Sequence, residues 1–115
     1  MKLKKIGKIG VDAGTVMVVD PCYMRDGAAP PLIDIKSIFA DLEDAKTTQV
    51  GKGLAVAVRS GYGDGVYPVY ALMASPGETD GWGERVMGLV VDFGGAREWI
   101  GKGGTQSVAR WGSRP

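Results

Sequence analysis

Residues 59–67 read Arg-Ser-Gly-Tyr-Gly-Asp-Gly-Val-Tyr, and no other stretch limits the possible folds of this chain as tightly. Apolar, β-branched runs flank it at 54–58 and 66–70, and both read as strands. Between them glycine recurs at every second position, 61, 63 and 65, with Tyr62 and Asp64 interleaved. Glycine accepts positive φ and leaves its backbone N–H unshielded. The segment therefore predicts a tight turn in which Gly63 or Gly65 is left-handed. Such a turn is either a purely structural hairpin or a cradle whose bare N–H groups hold a ligand. The residues alone leave both uses open.

The rest of the chain predicts a mainly β fold. Residues 5–11 alternate weakly, with Ile9 and Val11 on one face, and read as a first or edge strand. Thr15 to Val19 is a continuous apolar run, expected to be buried on both faces and ended by Asp20-Pro21. After a loop at 24–32, Asp34 reads as an N-cap. Ile35, Ile38, Phe39 and Leu42 then form one stripe of a helix over about residues 34–46. Burial of that stripe makes Phe39 one of the most sensitive core positions. Leu54, Val56 and Val58 share a face, with Ala55, Ala57 and Arg59 opposite. Pro68 assigns residues 66–73 to a sheet edge or a bulge. In residues 85–93, Arg85, Met87, Leu89, Val91 and Phe93 share one face. Residues 75–83 join these last two strands as a long hairpin.

The expected fold is an antiparallel sandwich or rolled sheet of five to seven strands with one packed α-helix, and 54–93 forms a meander. The 115 residues fit one β-rich domain with a basic N-terminal strand. Its glycine-rich tail carries Trp99, Trp111 and a short strand at 105–109.

A net charge of +1 excludes a strong field for nucleic acid or membrane. The basic ends and acidic middle read as solvated surface, and no nucleic-acid partner is expected. One cysteine excludes an internal disulfide. No apolar run follows the basic start as a signal peptide would, and none is long enough to span a membrane. The expectation is a cytoplasmic chain.

Histidine is absent, which removes Ser-His and Cys-His dyads and the usual catalytic zinc ligands. Cys22 has an aspartate closer in sequence than its only local cation, Arg25, and is expected to be buried and inert. Asp12, Asp20, Asp64 and Asp92 stand at strand ends in no metal-binding pattern. No catalytic residue, metal or cofactor is assigned. The better candidates are glycine-flanked loops carrying arginine and aromatic side chains. Arginine forks match phosphate, and aromatic faces stack on bases. Arg59, Tyr62, Gly63 and Asp64 form the first such group, and Trp82 and Arg85 the second. Arg97 and Trp99 open the tail in the same style.

The run Gly61-Tyr-Gly-Asp-Gly-Val-Tyr-Pro-Val-Tyr70, followed by Arg85-Val-Met-Gly-Leu-Val-Val-Asp-Phe93, resembles small bacterial and phage proteins grouped as domain of unknown function 4241. Val18-Val-Asp-Pro-Cys-Tyr23 also resembles a segment of short phage proteins. The resemblance covers residues 11–23 and 59–94 and implies a β-rich fold, with no activity attached.

Three functional expectations follow. The first is a non-catalytic module binding a small anionic ligand or nucleotide; in the phage setting that the resemblance implies, it would sequester a signalling nucleotide. The second is a homo-oligomeric interaction or assembly subunit docking through Trp99 and Trp111. The third is a metal-dependent hydrolase using Asp20, Asp64 or Asp92.

Overall fold

The computed structural model describes residues 1–24, 33, 35–51 and 53–102. They form a mainly β structure of six strands: β1 (Lys2–Val11), β2 (Thr15–Val19), β3 (Thr47–Val50), β4 (Ala55–Arg59), β5 (Gly65–Ala74) and β6 (Arg85–Val91). Two short helices accompany them, α1 (Ile35–Asp41) and α2 (Ala96–Gly101). The strands make two three-stranded sheets, ordered β1-β5-β6 and β2-β4-β3. The chain divides into two compact units, one of residues 1–10 and 66 onward, the other of residues 11–65.

In the second unit, β4 lies between β2 and β3, antiparallel to both. Met17 and Thr48 both pair with Ala57, and Val19 and Val50 both pair with Ala55. Ala55 and Ala57 are buried, together with Ile33, Ile38, Leu42 and Val50, in the core cluster that α1 closes. The valines of β4 are on the other face, and Val56 is 50% exposed. The sequence separates these two faces without assigning the core to either. Small alanine side chains let a helix approach the sheet closely, so the alanine face is the one it covers. Val18, opposite Val56, is exposed for the same reason, so β2 is not buried on both faces.

Helix α1 is shorter than expected and ends at Asp41. Thr47 to Val50, rich in β-branched residues and beyond the expected helix, forms β3, a strand not among those expected from the sequence. Ile38 and Leu42 are buried, but Phe39 is 39% exposed and does not belong to the core. Asp34, the expected N-cap, lies outside the described residues, as do Trp111 and the short strand at 105–109.

In the first unit, β5 is the central strand, so Pro68 is not on an edge strand. The Asp92 N–H donates to the Pro68 carbonyl at 3.0 Å. A residue's N–H and C=O point the same way across a ladder, so the donor missing from Pro68 also faces β6. The proline therefore sits where that ladder ends. A bulge between Leu72 and Met73 interrupts the β5–β6 register, with Gly88 opposite Leu72 and Val86 opposite Met73. The Tyr67 and Phe93 rings meet at 83°, with their centres 5.2 Å apart. Next to Phe93, the Asp92 carboxylate accepts from the N–H groups of Gly94, Ala96 and Arg97. These bonds start α2 in a segment whose glycines suggested little structure. Trp99 lies on α2 and is 49% exposed.

Candidate functional site

The glycine turn does not join a hairpin. Its flanking strands, β4 and β5, belong to different sheets, so the expected meander is broken here. The turn instead carries the chain out of the second unit, and its polar groups are used within that unit. Arg59 donates from its backbone N–H to Lys46 O at 2.9 Å and from Nε to Leu42 O at 2.8 Å, tying β4 to the end of α1. Ser60 N–H donates to Gly14 O at 3.0 Å, and Gly14 N–H donates to Asp64 Oδ1 at 2.7 Å. The buried Ser60 hydroxyl donates to Gly63 O, and Gly63 has φ 81°. Tyr62 is 77% exposed.

Trp82 and Arg85 lie in the other unit, in the hairpin between β5 and β6. Ser75 and Glu78 close a reciprocal cap at the start of this loop. Thr79 Oγ1 donates to Gly83 O at 2.7 Å and fixes its far side. The Arg85 guanidinium stacks 5.1 Å from the centre of the Trp82 ring, which is 72% exposed. The six residues expected to bind a ligand thus make two separate sets of local contacts.

The edges of the first sheet differ sharply. Strand β1 carries Lys2, Lys4, Lys5 and Lys8 along one edge. Lysines on an edge oppose pairing with another chain. At the other edge, β6 has no charge between Arg85 and Asp92. Val86, Met87 and Leu89 are 65%, 54% and 52% exposed, so apolar side chains of this strand are open to solvent. Leu89 pairs with Ala71, which is buried, yet among the described residues no strand neighbours Leu89 on its other side. Sequence periodicity missed this surface because alternation does not tell an edge strand from a central one. The contrast in lysine content was the available signal.

Two cavities of about 370 and 530 Å³ in the first unit share Met1, Lys2 and Leu3. Arg97, stacked over Tyr70 at 5.4 Å, lines the smaller beside Glu98. Glu78 and Glu84 line the larger, and Glu78 pairs with the Met1 ammonium. This ion pair and the cap bonds from Ser75 hold the Glu78 carboxyl down at about 2. The smaller cavity carries Lys2 and Arg97 against Glu98, and the larger carries Lys2, Lys4 and the Met1 ammonium against Glu78 and Glu84, so most of the positive charge at each is offset by acids.

Cys22 is exposed, contrary to expectation. Asp20 accepts the Cys22 N–H at 3.0 Å and starts a short 3-10 turn that turns the thiol outward. Partial desolvation, together with hydrogen bonding to Asp20 and its charge, pushes the thiol pKa up. That opposes formation of the nucleophilic thiolate. Among the described residues, no three potential metal ligands converge, and no helix is long and apolar enough to cross a membrane. Comparison with protein families, curated proteins and solved structures finds no match to this chain.

Proposed function

We propose that the chain is a protein-interaction module that adds an extended partner strand to its β6 edge. The supporting observation is the asymmetry of one sheet, with lysines along β1 and exposed, uncharged apolar residues along β6. An added strand gains main-chain hydrogen bonds from the open edge, while alternate side chains read the partner. Trp82 and Arg85, stacked beside the start of β6, are residue types enriched at the centres of interfaces.

Fluorescence polarisation with labelled extended peptides of alternating apolar sequence tests this reading. Micromolar binding is expected, weakened about tenfold or more by Val86→Lys or Leu89→Lys and unchanged by Lys5→Ala. Absence of binding to every such peptide by monomeric chain, or equal weakening by Lys5→Ala, would refute it. The nucleotide-binding reading has less support. Arg59 and Arg85 belong to different compact units, and each already makes a contact within its own, Arg59 with Leu42 O and Arg85 with the Trp82 ring.

A further inference from the structure

We infer that the strand added to β6 is the β6 of a second copy, paired antiparallel about a twofold axis through Leu89. This rests on the reading of β6 as the interaction edge. Three features select a second copy.

The first is backbone direction. Asp92 N–H points to β5, and backbone groups alternate along a strand. Those of Leu89 and Val91 therefore face outward. A twofold axis requires outward groups to meet outward groups, so a residue and its partner must have an even sum of numbers. Pairing about Leu89 meets this condition and sets Leu89 opposite its own counterpart and Val91 opposite the bulge at Met87.

The second is charge. Strand β6 begins at Arg85 and is followed by Asp92, with only apolar residues and glycine between. In the Leu89 register, the bulge at Met87 sets Asp92 of the second copy against Val86 or Arg85, so Arg85 comes within one residue of that carboxylate. Antiparallel pairing makes this match twice, whereas parallel pairing sets like charges together. Partial desolvation works against the Asp92 carboxylate. Even so, the N–H groups of Ala96, Arg97 and Gly94 and the Arg97 charge hold its pKa below the usual range, so it is ionised at neutral pH.

The third is closure. Joining two β6 edges gives one continuous sheet whose outer strands are both β1. Each remaining edge then carries the four lysines, and growth stops at two copies. Any head-to-tail addition would leave a β6 edge open.

Sedimentation velocity of the full chain up to about 100 µM tests the inference. A dimer is expected, with association weakened about tenfold or more in Leu89→Lys and in Arg85→Asp. Leu89→Pro removes an outward donor and should dissociate the dimer while keeping the native far-UV spectrum. Val90→Pro removes a donor directed at β5 and should unfold the sheet. If Leu89→Pro unfolds instead, the assigned direction is wrong and the Leu89 register falls with it. A monomeric wild type overturns the inference, as does a dimer insensitive to Leu89→Lys and Arg85→Asp. A monomer that still captures extended peptides leaves the edge function standing and refutes only self-pairing.

Discussion

Truncating Leu42 to alanine should cost much more than truncating Phe39, although both belong to the apolar stripe of α1. Leu42 is 1% exposed and belongs to a cluster with Ile38, Val50, Ala55 and Ala57. Losing three buried carbons removes roughly 2.4 kcal/mol of transfer free energy at about 0.8 kcal/mol each. The alanines of β4 have no length with which to fill the space, so a cavity term should raise the total to about 3–4 kcal/mol. Phe39 is 39% exposed and borders an open cavity of about 130 Å³, where water replaces what is removed. Its truncation should cost roughly 1–2 kcal/mol, the transfer term reduced for partial burial. Urea titration of the full chain, followed by far-UV ellipticity with unchanged slopes, measures both. Leu42→Ala should also lower Tm by an amount on the order of 10–20 °C. A Phe39→Ala cost equal to or above that of Leu42→Ala would refute the placement of the core.

Gly63 has φ 81°, so Gly63→Ala should destabilise by about 1 kcal/mol or more; Gly61, with ordinary φ and open space around it, should accept alanine at little cost. Equal unfolding midpoints for the two variants would contradict the left-handed assignment. The lowered pKa of Asp92 means its contribution is complete at neutral pH and fades as pH falls from about 4 through the folded value. The amide resonances of Ala96 and Arg97 should shift together in that range, and Asp92→Ala should abolish the transition while leaving α2 frayed; an unaltered pH profile in this variant would rule out the carboxylate as its source. Cys22 should react with iodoacetamide at pH 8 more slowly than the same cysteine in urea-unfolded chain, despite its exposure. Faster reaction in the folded state would show that Asp20 does not suppress the thiolate.

Strands were legible wherever β-branched residues ran together, as at 15–19, 54–58 and 66–73, and the buried pair Ile38 and Leu42 was legible from helical spacing. Which face of β4 is core was not. Alternation of alanine and valine defines two faces, but the choice depends on how closely α1 packs. The glycine turn was legible as a turn, including its left-handed Gly63, yet its partners were not local. Gly14 lies far away in sequence and supplies both a donor and an acceptor to it. Pro68 pointed to an edge or a bulge because a missing donor is harmless there. In β5 it is harmless for another reason, since the neighbouring ladder ends at that residue. Of the candidate site, Trp82 and Arg85 were visible, but the exposed edge beside them depends on strand order, which periodicity does not carry.

Strand order also has a consequence during synthesis. β1 is made first, but its partner β5 begins only at Gly65, after the whole of the second unit. At about 5–20 residues per second, β1 waits roughly 3–10 s for a strand to pair with. The segment from 11 to 65 is continuous and holds its own core, so it can complete its packing during that interval. The nascent β1 meanwhile carries four like charges that repel equivalent strands on neighbouring ribosomes. The lysines thus protect β1 on the ribosome before there is any sheet edge for them to guard.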